Sequence, residues 1–198
     1  MTSRPVAKIH NKFAEDTATI KVTQLEAAVR QLVQAIKFYF YDGDAVSIHS
    51  LTRNAEEILS KLLIDKGKKS MWTATVDMVK EERREEFRRK IDGAKNAFKH
   101  RVVSETNVIE MPLEVNELFL LFSTHAVHSF WLEEFKKHPE LILFECWYIT
   151  HHPDILDGLT PQSQLIQATC AGFRHSEVSK QEYFSGLYDA AIATISKL

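Results

Sequence analysis

Six glycines and five prolines are all that punctuate 198 residues, and apolar side chains recur at spacings of three and four much more than at two. Such a chain must be built mainly of helices, because an α-helix brings i, i+3 and i+4 to one face whereas a strand alternates. With 44% hydrophobic and 26% charged residues, the composition is globular, long enough for one sizeable core and short for two. The expected fold is all-α. It comprises an N-terminal arm at 1–22 and, over 23–198, a single-domain bundle of six or seven helices, with an up-down core and a C-terminal helical extension.

A formal net charge of −2 gives the whole molecule no general electrostatic pull on nucleic acid or anionic lipid, so any such binding must be local. Cys146 and Cys170 lack C-x-x-C spacing, which predicts free buried thiols, a reducing compartment and hence the cytoplasm. The first residues have no signal-peptide apolar core, and no segment approaches about 18 uninterrupted apolar residues, so neither export nor a membrane partner is expected.

Helix signals follow one another along the chain. Thr23 and Glu26 form a capping-box pattern ahead of an apolar stripe through Leu25, Val29, Leu32, Val33, Ile36 and Phe40. The Asp42-Gly43-Asp44 break then starts a second helix, about 45–66, with Ile48, Leu51, Ala55, Ile58 and Leu62 on one face and Gly67 at its end. Residues 68–74 read as a connector, 75–100 as a charged surface helix, 101–111 as irregular and 113–137 as helical. Pro139 opens the apolar run LILFECWYI, which belongs at the centre of the bundle. A loop at 151–161, a short helix near 161–171 and a last helix capped by Ser179 and Glu182 complete the chain.

The end of the charged helix carries the main functional candidates. Asp92, Asn96 and His100 lie four apart and so form one polar line, flanked by Lys95, with Arg88 or Arg89 a turn earlier. A histidine at a helix C-terminus is favoured in its protonated form by the helix dipole, which suits an anion-handling site. The alternative is a basic helix end in which His100 and Arg101 satisfy the last carbonyls.

These residues carry a resemblance. The helical pair LEAAVRQLVQAIKFYFYDGDAVSIHSLTRNAEEILSKLLIDKGKK, then K-N-A-F-K-H and the irregular RVVSETNVIEMP, together resemble the HEPN superfamily (higher eukaryotes and prokaryotes nucleotide-binding) over about residues 23–135. That family's signature reads R-N-x-x-x-H at a helix end. The resemblance implies a HEPN-like bundle, commonly homodimeric, that either binds RNA or nucleotide or cleaves RNA without a metal or cofactor. It assigns the polar position to Asn96, the proton-transferring histidine to His100 and the arginine position to Lys95. Lysine keeps the charge but loses the planar two-pronged grip on phosphate, for which Arg89 or Arg101 would substitute.

Two rival readings use other residues. His125 and His128 with Glu133 and Glu134, and His151-His152 with Asp154, could supply metal ligands, or could be hydrogen-bonded core histidines. Alternatively the chain is a non-enzymatic interaction module with the charged helix as its binding face. His49 and Arg53 are polar on an otherwise packed second helix and would line the same cleft as His100. Trp72, in KGKKSMW, could grip a single strand. No nucleophile elbow, P-loop or dinucleotide fingerprint appears, and Cys146 sits in an apolar run unsuited to thiolate chemistry.

Overall fold

The computed structural model describes residues 19–99, 108–152 and 178–195, and the described residues contain eight α-helices and no strand. Residues 19–22, the last of the expected arm, are exposed and without regular structure. The short helix expected near 161–171 and the loop beyond 152 lie outside the described residues. No described helix is long and apolar enough to cross a membrane.

Helix α1 runs Gln24–Phe40 and starts as its sequence requires, with Thr23 and Glu26 closing a reciprocal capping box. Its C-terminus is a Schellman-type turn. Asp42 takes the left-handed conformation (φ 51°), and Gly43 N–H reaches back to the Phe38 carbonyl at 2.7 Å. Gly43 is needed for space, not for its own φ, because a Cβ there would lie 2.8 Å from Phe38 Cβ. Helix α2, Ala45–Asp65, begins at the Asp44 cap, and so short a turn sets it antiparallel to α1.

Helix α2 is buried on two sides. Ile48, Ala55 and Leu59 join the main core, while His49, Thr52, Arg53 and Glu56 are also buried. The apolar stripe marks only the first of these sides. The main core is completed by α7, Pro139–His151, in which every residue from Glu140 to Tyr148 is buried, and by α8, Lys180–Ile195. Phe40 sits at its centre, 5.0 Å from Phe184 and stacked on Tyr183 at 6.0 Å, with Phe144 and Trp147 edge-on. The second capping box, Ser179 with Glu182, opens α8 as expected.

Two expected helices are broken. The span 75–100 divides into α3, Met71–Met78, a 3-10 turn at Glu81–Arg83 and α4, Arg84–Lys99, and α3 takes up part of the expected connector. The break is stabilised by Arg84, whose guanidinium donates to the carbonyls of Val79 (2.9 Å) and Asp77 (2.8 Å) at the end of α3. The span 113–137 divides at Trp131 into α5, Glu114–Phe130, and a single turn, α6, Leu132–Phe135. A second, smaller core of Val115, Phe119 and Phe122 from α5 takes in Trp72 of α3 and Ile91 of α4.

Cys146 corrects the expectation of free thiols, for it is disulfide-bonded. The sequence holds one other cysteine, Cys170, outside the described residues.

The crowding at Gly43 predicts that Gly43→Ala destabilises the fold by about 1–3 kcal/mol through overpacking. Gly93→Ala, in α4 with nothing within 4 Å of the new methyl, should instead be neutral or stabilising by up to about 1 kcal/mol. Urea denaturation of both variants checks the pair.

Candidate functional site

Between α2 and α4 lies a cavity of about 140 Å³, lined by His49, Ser50, Arg53 and Asn54 from α2 and by Lys95, Phe98 and Lys99 from α4. Its floor is built from groups that α2 buries. Arg53 is 1% exposed and holds Asp92 of α4 and Glu56 of its own helix, with its guanidinium 3.4 Å above the Phe119 ring of α5. Burial pushes the Arg53 pKa down, and the charges of Glu56 and Asp92 oppose that. The guanidinium remains charged.

His49 is the chemically informative group. Asn116 of α5 donates from Nδ2 to the Ala45 carbonyl at 3.0 Å, which orients its amide so that Oδ1 faces the ring. His49 Nδ1 lies 2.9 Å from that oxygen and must be the donor, since an amide oxygen can only accept. The tautomer follows: the proton is on Nδ1 and the lone pair on Nε2, which is buried and has no partner. Burial chiefly, and the Arg53 and Lys95 charges, lower the His49 pKa against the pull of the Asn116 bond and of Asp92. The uncharged form of the ring is therefore favoured, and His49 lines the cavity while its Nε2 is an unpartnered acceptor that is itself buried.

At the rim, three ammonium groups converge on one carboxylate. Glu57 receives Lys99 (2.6 Å) and Lys95 (3.2 Å) on Oε2 and Lys61 (3.0 Å) on Oε1. Hydrogen bonds from Lys99 and Lys61, then the Lys95 charge, hold its carboxyl well below the usual range despite some burial. Phe98 offers a 38% exposed ring beside them, edge-on to His49 at 5.8 Å.

Of the residues singled out in the sequence, Lys95 lines this cavity, and His49 and Arg53 line it with Lys95. Asn96 is exposed and Arg89 is exposed on the same helix, neither of them a lining residue. The expected polar line is split, since Asp92 turns inward to Arg53 while Asn96, one turn on, faces solvent. His100 and Arg101 lie outside the described residues. Glu57, Phe98 and Asn116 were missed: a glutamate in a helix, a phenylalanine in a stripe and an asparagine in another helix carry no local sign of convergence.

The rival histidines go elsewhere. His125 and His128 share a face of α5 and flank the buried Glu145, His128 at 2.9 Å and His125 at 4.0 Å. His128 also stacks on Phe135 at 4.3 Å. Glu134 pairs with Lys137 and His138, and Glu133 with Lys136. His151 stacks on Trp147 at 4.5 Å while His152 turns to Glu117 at 3.5 Å, so that pair is divided. Among the described residues no three His, Cys, Asp or Glu side chains group so as to hold a metal ion. Trp72 packs on Phe87 and Phe119 and serves the smaller core.

No protein-family model, curated protein or solved structure matches the chain.

The His128–Glu145 pair sets a pH dependence. Burial opposes protonation of His128, but the hydrogen bond and charge of Glu145 outweigh it and raise its pKa above the ordinary value. Stability from a raised histidine pKa is complete below the unfolded value, about 6.5, and is lost as pH rises through the folded value. His128→Gln should therefore cost more stability at about pH 5.5 than at about pH 8, read as the difference in urea midpoint from wild type.

Proposed function

We propose that the chain is a divergent HEPN-like helical protein that binds RNA or a nucleotide through the α2/α4 cavity, and that its catalytic form, if the chain turns over, is a metal-independent endoribonuclease. The observation that carries this reading is a neutral His49, with its Nε2 lone pair unpartnered, in one cavity with Arg53, Lys95 and Lys99. A phosphate needs the cations, a 2′-hydroxyl needs the acceptor, and the half-exposed Phe98 ring gives a base a surface to stack on. Lys95, the position the resemblance makes catalytic, is one of the lining cations, and His100 follows Lys99 directly in sequence.

In the catalytic form, substrate binding uncovers the buried His49 Nε2, which takes the proton of the 2′-hydroxyl, whose oxygen attacks the adjacent phosphorus. The 5′-oxygen leaves, accepts a proton from His100 and ends as a hydroxyl, and the phosphate closes to a 2′,3′-cyclic ester. Lys95 and Lys99 neutralise the charge that develops on the phosphoryl oxygens. Asn96, exposed on the outer side of α4, would serve substrate bound beyond the cavity or across a homodimer, as would Arg89. The cytoplasmic placement rested on free thiols and loses that support with Cys146 in a disulfide.

Single-stranded RNA and nucleoside monophosphates should bind at low salt, with affinity falling as salt rises. Lys95→Ala should weaken binding about tenfold, measured by fluorescence anisotropy. Binding of neither ligand, at any salt, sinks the reading. In chelator, cleavage by wild type that leaves cyclic phosphate ends should fall on the order of a hundredfold or more in His49→Gln and in His100→Ala. Cleavage unchanged in both variants removes the catalytic form. Light scattering of the purified chain tests the homodimer, for which twice the chain mass is the expected result.

A further inference from the structure

We infer that Glu57 is a built-in occupant of an anion subsite at the cavity rim, and that the subsite takes a dianionic terminal phosphate in exchange for the Glu57 carboxylate. This rests on the proposed nucleotide or RNA reading only for the identity of what the phosphate is attached to.

The geometry points to exchange, not to an ordinary surface ion pair. Glu57 and Lys61 are four apart on α2 and would pair on any helix surface. Lys95 and Lys99 are different: they too are four apart, so their like charges repel, yet both are directed at the same carboxylate oxygen. Lys95 is held inward with 17% of its side chain exposed, and it also lines the cavity together with His49. Three ammonium groups face a single negative charge, which leaves the cluster with more positive charge than the carboxylate can balance. Glu57 itself is 35% exposed, so its side chain can turn to water without crossing packed core.

Charge then decides which anion enters. A bridging phosphodiester carries one negative charge, so replacing the carboxylate with it exchanges like for like and gains nothing from the lysines. A terminal phosphate carries about −1.5 to −2 at neutral pH and three acceptor oxygens, one for each ammonium group. The subsite therefore prefers a phosphomonoester, as on a nucleoside monophosphate or a phosphorylated RNA end, over an internal linkage. Glu57 acts as the filter: it is displaced by a dianion and holds its place against a monoanion.

The test uses the whole chain with inorganic phosphate, adenosine 5′-monophosphate and the dinucleotide ApA, which has a phosphodiester alone. Calorimetry should show wild type binding the monophosphate more tightly than ApA. Glu57→Gln should tighten inorganic phosphate about tenfold and narrow the gap between the two adenosine ligands. Adding Lys95→Met and Lys99→Met to that variant should abolish the gain. In wild type, the carboxyl carbon resonance of Glu57 should shift during the phosphate titration, which checks the exchange without any substitution. A folded Glu57→Gln protein with unchanged or weaker phosphate affinity, or a Glu57 resonance that ignores bound phosphate, overturns the inference. Phosphate binding that behaves as stated, with no RNA or nucleotide binding, would leave the subsite standing and the nucleotide reading fallen. Nucleotide binding with an indifferent Glu57 would do the reverse.

Discussion

The site depends on one buried cation. Arg53 has the largest side chain among the almost wholly enclosed residues, and a guanidinium taken out of water is costly unless its charge and its donors are matched. Asp92 and Glu56 match the charge, and the Phe119 ring faces the flat side of the group. Each partner comes from a different place: Asp92 from α4, Glu56 from α2 and Phe119 from α5. A single guanidinium therefore fixes three helices relative to one another. Removing Asp92 would cost more than one surface pair, because it would leave a buried charge short of a partner.

That arrangement explains why the cavity lies where it does. The main core, around Phe40, Phe144 and Trp147, is an interlocked set of aromatic rings. Helix α4 stands outside it. Ala94 is its one buried residue among those described, and it meets α2 through Asp92, Lys95 and Lys99 and through the Phe98 ring set edge-on to His49. A helix docked through charges leaves polar, incompletely filled space behind it, whereas a helix docked through leucines would close the gap. The same property makes this wall the part of the described structure most sensitive to salt, since ion pairs near a surface are screened and hydrocarbon contacts are not.

Much of the frame was legible and much of the site was not, for physical reasons. Both capping boxes, the α1 stripe, the all-round apolar α7 and the first-turn Pro139 are local signals, and each stands where the sequence put it. The break at Val79 was hidden because Arg84 caps α3 through a side chain that in sequence belongs to the charged run. Trp131 was hidden because no glycine or proline marks it. On α2 the apolar periodicity identifies the side facing α1, and the polar residues opposite stand out in the sequence without any sign of their partners. Helical spacing gives neighbours on one helix but not the rotation of that helix against the next. Asp92 and Asn96 accordingly look like a pair in sequence and part company in space.

The same limit applies to charge. A net charge of −2 over the chain counts against anion binding if charges are spread evenly, and in this fold they are not. Helix α4 reads as alternating signs, yet its inward side brings Lys95 and Lys99 to α2 while Glu85 and Glu86 stay exposed at the far end. The field that an anion meets at the cavity is set by the nearby Lys95, Lys99 and Arg53 against Glu57, Asp92 and Glu56, and charges more than a Debye length away, about 8 Å in physiological salt, are screened. An anion seated between α2 and α4 would also tie the two helices together. Binding and bracing of the wall then become the same event, so ligand occupancy should raise the stability of α4 more than that of the aromatic core.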